Sequence, residues 1–308
     1  MARVLSGTSV RDEVLAELKP RIERLKEEAR PPGLAVILAG NNPASEIYVR
    51  NKVKACEELG VHSEKFTPPE EATTEELLDL VESLNRRPEI DGILVQMPLP
   101  GQVDARKVLL AVAPEKDVDG FHPLNMGFLM TGRSGPRACT PAGIMELLHR
   151  YDIPIKGQRA VIVGRSDIVG KPMAMLLMHE HATVTICHSR TSNLPEECSR
   201  ADILVAAMGR PAFITREFIR PGATVVDVGM NRITEREQAV GIFGEQGEKI
   251  ASFDRRGSVL VGDVHPVHVA ETAGAYTPVP GGVGPLTIAM LMVNTVQAAE
   301  RRLGRCSA

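Results

Sequence analysis

The sequence predicts an α/β fold made of two domains, each built on a parallel sheet, with a cleft between the domains. The chain has 308 residues, and a domain usually contains about 100–200. Short apolar segments alternate with segments of helical period along both halves of the chain, which favours parallel sheets covered by helices. In the second half, one apolar segment runs directly into a glycine-bounded loop and a helix. That order is typical of Rossmann-type dinucleotide-binding domains, so we expect the second domain to be one.

The first half is predicted to begin with an amphipathic helix. Apolar residues recur at helical spacing from Val10 to Leu25, and Pro31 and Pro32 end the pattern. The stretch 100–138 is rich in Gly and Pro and is predicted to be a long irregular loop with a functional role. Between these two segments, the sequence predicts a strand at 34–39, a helix from the turn at 40–43 to residue 59, a strand at 61–66, a helix at 73–84 and a strand at 90–95.

The second half repeats the alternation. Thr140 and Pro141 suit the N-cap and the first position of a helix, which we expect to connect the two domains. The polar stretch 234–257 is predicted to be an exposed insertion. The other predicted elements are strands at 159–163, 183–187, 203–207, 224–228 and 259–261, a helix at 169–178, and a last helix that begins at Pro285.

Charge and composition exclude several classes of partner. Lys and Arg total 36 against 39 Asp and Glu, and the formal net charge of −3 gives no general attraction to nucleic acid or anionic membranes. There is no Trp, and only three Tyr and seven Phe, so stacking platforms for single-stranded nucleic acid are not expected. No apolar run approaches the roughly 20 residues that span a bilayer, and no secretory signal is evident. We therefore expect a soluble, cytoplasmic protein.

The cysteines and histidines favour neither a disulfide framework nor a metal site. The cysteines are odd in number, widely spaced and without a C-x-x-C pair. The pairs His179-x-His181 and His265-x-x-His268 lack further partners at ligand spacing, so no metal is predicted. Reduced thiols are expected at Cys56, Cys139, Cys187, Cys198 and Cys306.

Residues 160–170, with the sequence AVIVGRSDIVG, are the candidate cofactor loop. Gly164 and Gly170 bound a polar turn between a strand and a helix, where backbone N–H groups and the helix N-terminus can face a pyrophosphate. The strict G-x-G-x-x-G pattern is absent, because Ser166 stands at the position of its second glycine and the spacing to Gly170 is longer. Because any tight strand-to-helix turn favours glycine, the prediction depends on the position of the loop within a βαβ unit.

The end of the next strand indicates which nicotinamide cofactor is bound. NAD-specific folds place an acidic residue there to hold the ribose 2′-hydroxyl, whereas this chain has Ser189 and Arg190. Together with Arg165 in the loop, these side chains suit a 2′-phosphate and therefore favour NADP. The alternative is that Arg190 is only a solvated surface charge.

Tyr48 and Lys52 are the first catalytic candidates. They lie four residues apart on a predicted helix and so project from one face. Tyr offers an aromatic face to a planar substrate, and a partly buried Lys can act as an acid or base. The alternative is an ordinary surface pair. Short-chain dehydrogenases also use Y-x-x-x-K, but after the glycine loop, whereas here the pair precedes that loop.

Three loops supply the remaining polar candidates. Gln96 follows a buried strand, at the carboxyl end where α/β proteins bind ligands. The segment 114–127 is charged, as solvated loops usually are, but its Gly-Phe-His-Pro interruption indicates a defined shape. Its polar side chains are Lys116, Asp117, Asp119, His122 and Asn125. The segment 278–285 (PVPGGVGP) either closes over a ligand or is an ordinary beginning of a helix. Its candidates are Pro280, Gly281 and Gly282.

Seven segments together resemble one enzyme family. In chain order they are Tyr48-x-x-x-Lys52, DGILVQMPLP, KDVDGFHP, CTPAGI, GRSDIVGKPMAMLL, TVTICHSRT and TPVPGGVGPLT. This set resembles the bifunctional methylenetetrahydrofolate dehydrogenase/methenyltetrahydrofolate cyclohydrolase family over nearly the whole chain. Departures are the polar stretch 234–257 and Ala138, where the family commonly has proline. The resemblance implies a folate-binding catalytic domain at 1–140, completed by the last helix at 285–308, and an NADP-binding domain at 141–284.

The resemblance also implies the reaction and the site residues. NADP oxidises 5,10-methylenetetrahydrofolate to the methenyl form, which is hydrolysed to 10-formyltetrahydrofolate, in a homodimer that serves purine biosynthesis. Lys52 is the implied general acid/base, Gln96 orients it, Tyr48 packs on the folate and Asp119 binds the pterin. Further substrate contacts are implied at Pro280, Gly281 and Gly282. The implied NADP-binding residues are Gly164, Arg165, Ser166, Ser189 and Arg190.

Two other functions are compatible with the residues alone. One is a different two-domain oxidoreductase, similar to shikimate or amino-acid dehydrogenases, in which Lys52 serves another small substrate. The segments around Gln96 and Asp119 argue against it, because their pattern matches the folate family. The other is a nucleotide-binding module without catalysis, and the presence of every candidate catalytic residue argues against that.

Overall fold

The computed structural model describes residues 2–305, which form two compact units. The first unit contains the chain up to Val10 together with Thr140–Thr287. The second contains Arg11–Cys139 and the chain from Ile288 onward. Each unit is therefore made of two separate segments of the chain.

Strands and helices alternate along most of the chain, and every element that the sequence predicts is present with small shifts of its bounds. The elements are β1 (Arg3–Val4), α1 (Gly7–Glu28), β2 (Gly33–Ile37), α2 (Pro43–Leu59), β3 (His62–Phe66), α3 (Thr74–Arg86), β4 (Gly92–Val95), α4 (Ala105–Ala111), α5 (Pro123–Met130), α6 (Cys139–Arg150), β5 (Arg159–Val163), α7 (Gly170–His179), β6 (Thr183–Cys187), α8 (Leu194–Ser199), β7 (Ile203–Ala206), a 3-10 helix (Arg216–Phe218), β8 (Thr224–Asp227), β9 (Asn231–Ile233), α9 (Arg236–Phe243), α10 (Glu248–Arg256), β10 (Val259–Val261), α11 (Pro266–Thr272), β11 (Ala275–Tyr276) and α12 (Val283–Arg302).

The second unit is built on a three-stranded parallel sheet in the order β3-β2-β4. Every residue of the central strand β2 is buried, as expected for a strand covered on both faces. The helix α3 begins with a capping box between Thr73 and Glu76, and its apolar face packs on the sheet. Ile37 and Val95 are partners in register. The residues that follow β2 and β4 therefore lie at the same edge of the sheet.

The first unit contains a six-stranded sheet in the order β1-β11-β8-β7-β5-β6, and all its neighbouring strands are parallel. The chain continues from β5 to β6 on one side and then to β7 on the other side. The carboxyl edge between β5 and β7 is therefore the switch point at which open α/β sheets bind ligands. The sequence did not predict β1 and β11, because two residues carry no periodic pattern.

Two predictions about loops are wrong in part. The stretch 100–138 contains α4 and α5, which have 7 and 8 residues and are too short to show a clear hydrophobic period. Asp104 caps α4, and the His122 side chain caps α5. The next helix, α6, begins at Cys139, one residue before the expected N-cap Thr140.

The stretch 234–257, which was predicted to be an exposed insertion, forms the helices α9 and α10 and is partly buried. Ala239, Ile250 and Phe253 from these helices are buried with Ile233 and Val259, so the segment has a small hydrophobic core of its own. The strand at 259–261 is present, but it pairs antiparallel with β9 in a separate two-stranded sheet.

A buried ion-pair network connects the last helix to the sheet of the second unit. Asp91 is 5% exposed and accepts hydrogen bonds from Arg30 at 2.7 and 3.0 Å, from Arg302 at 2.9 Å and from the Gly33 N–H at 2.8 Å. Removal of one member of a buried pair leaves the other charge uncompensated. That change usually costs about 3–5 kcal/mol.

We therefore expect Asp91→Ala to lower the free energy of unfolding by about 3–5 kcal/mol, measured by urea titration. Glu300→Ala is the matched control, because it breaks the more exposed Arg21–Glu300 ion pair and should cost about 1 kcal/mol or less. An Asp91→Ala protein as stable as the Glu300→Ala protein would contradict the importance of the buried network.

Candidate active site

The structure brings Lys52 and Gln96 into hydrogen-bonding contact. Lys52 lies on α2 and is 8% exposed, and its Nζ donates to Gln96 Oε1 at 3.0 Å. Gln96 follows β4, and its backbone N–H donates to the Ile37 carbonyl at 2.9 Å. Its Nε2 donates to the Met97 carbonyl at 2.8 Å. Because the amide nitrogen is engaged in this way, the amide oxygen faces Lys52.

Tyr48 lies one turn before Lys52 on α2, as the spacing predicted. Its side chain is at the surface, with 40% of the residue exposed, and partial burial raises the pKa of its hydroxyl. Ser45, one further turn back, is 3% exposed and donates from Oγ to the Met97 carbonyl at 3.4 Å. Ser45 could not be singled out from the sequence, because serine near a helix start is normally a capping residue.

Most polar side chains of the loop 114–127 have structural contacts. Asp117 is buried and accepts hydrogen bonds from the Gly120 N–H at 3.1 Å, the His122 N–H at 2.8 Å and Asn125 Nδ2 at 2.8 Å. Lys116 Nζ donates to three carbonyls at the end of α3, at 2.7–3.1 Å. These residues therefore shape the loop.

Asp119 differs from its neighbours in the loop. Among residues 2–305, none donates a hydrogen bond to its carboxylate, and the residue as a whole is partly exposed. Burial raises the pKa of Asp119 to about 6, and the positive charge of Lys52 opposes this rise. The charge of Lys52 therefore favours the ionised form of Asp119, and the oxygens of that carboxylate can accept hydrogen bonds from a ligand.

The candidate cofactor loop has a backbone that only glycine permits. Gly164 has φ +142°, and a Cβ atom there would lie 2.2 Å from the Ala207 carbonyl oxygen. A Cβ atom at Gly170 would lie 2.2 Å from the Gly164 oxygen. Ser166 Oγ accepts hydrogen bonds from the Val169 and Gly170 N–H groups at 3.1 and 3.3 Å, at the start of α7. Within the described chain, no group accepts from the N–H groups of residues 165–168. These donors fit a pyrophosphate.

Arg165, Ser189 and Arg190 are exposed at the carboxyl ends of two adjacent strands. Val163 and Cys187 are partners in register, so the residues after β5 and β6 lie at one edge of the sheet. The Arg190 N–H donates to His188 Nδ1 at 3.1 Å, which defines the turn after β6. Two guanidinium groups and a hydroxyl at this edge fit a phosphate better than a ribose hydroxyl.

Pro280, Gly281 and Gly282 lie in the first unit, between β11 and α12. Gly281 has φ +101°, and its carbonyl accepts a hydrogen bond from the Thr8 N–H at 3.1 Å. Lys249 of α10 donates from Nζ to the Val279 carbonyl at 3.2 Å. The helical segment at 234–257 thus contacts the loop 278–285, which was predicted to bind the substrate.

The buried carboxylate of Asp263, which follows β10 in the chain, binds the loop after β7 and was not predicted. Asp263 is fully buried and accepts hydrogen bonds from the backbone N–H groups of Met208, Gly209 and Arg210 at 2.7–2.9 Å. It therefore holds the loop that follows β7 beside the switch point. In the sequence, the only indication of this role is that Asp263 is an acidic residue just after the predicted strand at 259–261.

Residues 2–305 also bear on possible metal sites, membrane-spanning helices and disulfides. Between residues 2 and 305, no three His, Cys, Asp or Glu side chains are grouped as metal ligands would be. No helix in that range is long and apolar enough to cross a membrane. Cys56, Cys139, Cys187 and Cys198 are free and buried, and Cys306 lies outside the described residues.

Two family models match the chain. The model of the tetrahydrofolate dehydrogenase/cyclohydrolase catalytic domain matches residues 5–119, and the model of the NAD(P)-binding domain of the same family matches residues 138–303. Relatives called bifunctional protein FolD are 67% identical in Solibacter usitatus and 61% identical in Koribacter versatilis. These alignments cover 99% of this chain and 100% and 99% of the relatives.

Solved structures give the same match. The bifunctional enzyme FolD, a methylenetetrahydrofolate dehydrogenase/cyclohydrolase from Campylobacter jejuni, is 41% identical with a TM-score of 0.88, over 98% of this chain and 100% of that one. The dehydrogenase-cyclohydrolase of Trypanosoma brucei, complexed with NADP cofactor and inhibitor, is 35% identical with a TM-score of 0.88, over 98% of both chains.

Proposed function

Because the chain belongs to the tetrahydrofolate dehydrogenase/cyclohydrolase family, we propose that it is a bifunctional enzyme of one-carbon metabolism. It oxidises 5,10-methylenetetrahydrofolate with NADP and hydrolyses the methenyl product to 10-formyltetrahydrofolate. The observation that carries the proposal is the buried Lys52–Gln96 hydrogen bond with the accessible Asp119 carboxylate in the same unit.

Asp119 and Tyr48 bind the folate in this proposal. An ionised carboxylate with two available oxygens accepts hydrogen bonds from the amino and ring N–H groups of a pterin. The partly exposed Tyr48 ring provides a flat surface for a planar ligand.

Lys52 transfers the proton during hydrolysis. Water forms a bond to the methenyl carbon, the bond from that carbon to N5 breaks, N5 gains a proton, and one proton is released overall. Lys52 lies on a packed helix and donates to Gln96 at 3.0 Å. Its nitrogen therefore has a defined position from which to exchange a proton with water or N5.

NADP binds to the loop Gly164–Gly170 and to the exposed side chains of Arg165, Ser189 and Arg190. Bound NADP supplies the hydride acceptor for the oxidation step. The free backbone N–H groups of residues 165–168 donate to the pyrophosphate. The two arginines distinguish NADP from NAD through the 2′-phosphate.

A direct assay tests the proposed function. Purified protein is mixed with 5,10-methylenetetrahydrofolate and either NADP or NAD, and reduced cofactor and the methenyl species are followed separately. We expect reduction of NADP with little accumulation of the methenyl species. Accumulation would indicate a dehydrogenase with a weak cyclohydrolase, and no reduction with either cofactor would overturn the proposal.

We expect Asp119→Ala to raise the KM for folate about 10–100-fold, since a hydrogen bond to a charged group contributes about 1.5–3 kcal/mol. The KM for NADP should not change. Glu115→Ala, on the exposed part of the same loop, is the control. Unchanged folate kinetics in Asp119→Ala would exclude this residue from the binding site.

The same variant should be at least as stable as the parent at neutral pH. The pKa of Asp119 in the folded protein, about 6, is above the unfolded value of about 3.9, so ionisation of Asp119 opposes folding. The variant should gain stability relative to the parent as the pH rises from about 4 to about 6. Chemical unfolding at several pH values measures this difference.

Homodimerisation, a cytoplasmic location and a role in purine biosynthesis complete the proposal and rest on the family resemblance. One structural feature supports a dimer: β6 is an edge strand, and its Ile186 and the preceding Met178 are 38% and 44% exposed. Light scattering of the purified protein gives the mass that tests the dimer.

A further inference from the structure

Asn294 of α12 donates hydrogen bonds to two backbone segments of the second unit. The residue is 5% exposed. Its Nδ2 donates to the Val118 carbonyl at 2.8 Å and to the Arg137 carbonyl at 2.9 Å, and it lies 3.6 Å from Cys139 Sγ. An amide nitrogen has two hydrogens, and the two carbonyls use both.

The Val118 carbonyl belongs to the peptide group that leads into Asp119. It also accepts a hydrogen bond from Cys139 Sγ at 3.3 Å. Burial raises the pKa of the Cys139 thiol well above its ordinary value, so the thiol keeps its proton and remains a donor. Val118 is fully buried against β4, where a Cβ atom on Gly92 would lie 2.5 Å from Val118 Cγ1.

The peptide group on the other side of Asp119 is also held. The Gly120 N–H donates to Asp117 Oδ1 at 3.1 Å. Gly120 has φ +72°, and a Cβ atom there would lie 2.5 Å from the backbone of Arg137. The backbone before and after Asp119 is therefore held by internal contacts. No group among the described residues donates a hydrogen bond to the Asp119 carboxylate.

We infer that Asn294 is a positioning residue for folate binding, because it holds the Val118 peptide that sets the direction of the Asp119 side chain. The inference rests on the proposed role of Asp119 in binding the pterin. Asn294 itself contacts no substrate: its effect passes through Asp119.

The test is a double-mutant cycle of Asn294→Ala and Asp119→Ala, with KM for 5,10-methylenetetrahydrofolate and for NADP as readouts. We expect Asn294→Ala alone to raise the folate KM about tenfold and to change the NADP KM less than twofold. In the Asp119→Ala background, the same change should alter the folate KM less than twofold, because the group that it positions is absent.

Thr295→Ala is the matched control. Thr295 is fully buried on the same helix and donates only to the Leu291 carbonyl at 2.8 Å, so its loss should affect stability without a specific change in folate KM. Asn294→Ser, which keeps one donor, replaces Asn294→Ala if that protein does not fold, and an intermediate folate KM is expected.

The results distinguish failure of the positioning role of Asn294 from failure of the proposed folate-binding role of Asp119. If Asp119→Ala raises the folate KM but the Asn294 variants do not, or if the two effects simply multiply, the positioning role is overturned while the proposed function stands. If Asp119→Ala has no effect, the folate role of Asp119 fails, and the inference about Asn294 fails with it.

Discussion

Replacement of Lys52 by Met is expected to reduce the cyclohydrolase rate by about 100-fold to 10,000-fold, the usual contribution of general acid–base catalysis. Met has a similar length and fits an apolar environment, but it cannot donate or accept the proton that hydrolysis requires. Lys52 is buried and Gln96 is its hydrogen-bonding partner. Folate binding should persist, because Tyr48 and Asp119 are unchanged.

The measurement follows formation of 10-formyltetrahydrofolate from the methenyl substrate, with folate binding measured in parallel. Lys54→Met is the matched control: Lys54 lies on the same helix with its side chain 71% exposed, and its replacement should leave both activities unchanged. Full hydrolytic activity in Lys52→Met would remove Lys52 from the mechanism. Loss of folate binding as well would indicate that Lys52 positions the substrate.

Replacement of Arg190 by Ala is expected to raise the KM for NADP roughly 100-fold, since hydrogen bonds to charged groups contribute about 1.5–3 kcal/mol each. The KM for NAD should change no more than about threefold, because NAD has no 2′-phosphate to contact. Arg190 is exposed after β6, beside the loop that follows β5. The guanidinium can therefore reach a phosphate at this edge without rearrangement of the sheet.

Steady-state kinetics with both cofactors measures this ratio. Arg200→Ala is the control, because Arg200 is an exposed arginine of the same unit that forms ion pairs with Glu196 and Glu197. An equal loss with NADP and NAD would contradict the 2′-phosphate role. In that case, Arg190 would have to stabilise the turn rather than select the cofactor.

Much of the fold could be predicted from local patterns. The strands at 34–39 and 159–163 are continuous apolar runs, and the corresponding β2 and β5 are central strands of parallel sheets. Periodicity predicted these elements because burial on one or both faces requires apolar side chains at regular spacing. The short strands β1 and β11 and the helices α4 and α5 carry too few residues for such a pattern, so they were not predicted.

The residues of the candidate site were predicted one by one, and the contact of Gln96 with Lys52 was expected only from the family resemblance. The spacing of Tyr48 and Lys52 implied a common helix face, and nothing in the spacing implied that Gln96 accepts a hydrogen bond from Lys52 at 3.0 Å. In the loop 114–127, residue type alone did not separate the five polar side chains, and only the family resemblance singled out Asp119. The structure gives Asp117 a structural role and leaves the carboxylate of Asp119 available.

The sequence by itself determined the α/β alternation, the glycine turn at Gly164 and the set of side chains able to carry the chemistry, because these depend on residues that are neighbours in the chain. Only the tertiary structure decided which of those side chains meet. Asp91 with Arg302 and Val118 with Asn294 are far apart in sequence, and packing of the last helix brings each pair together. Such contacts depend on how buried surfaces pack, which periodicity does not encode.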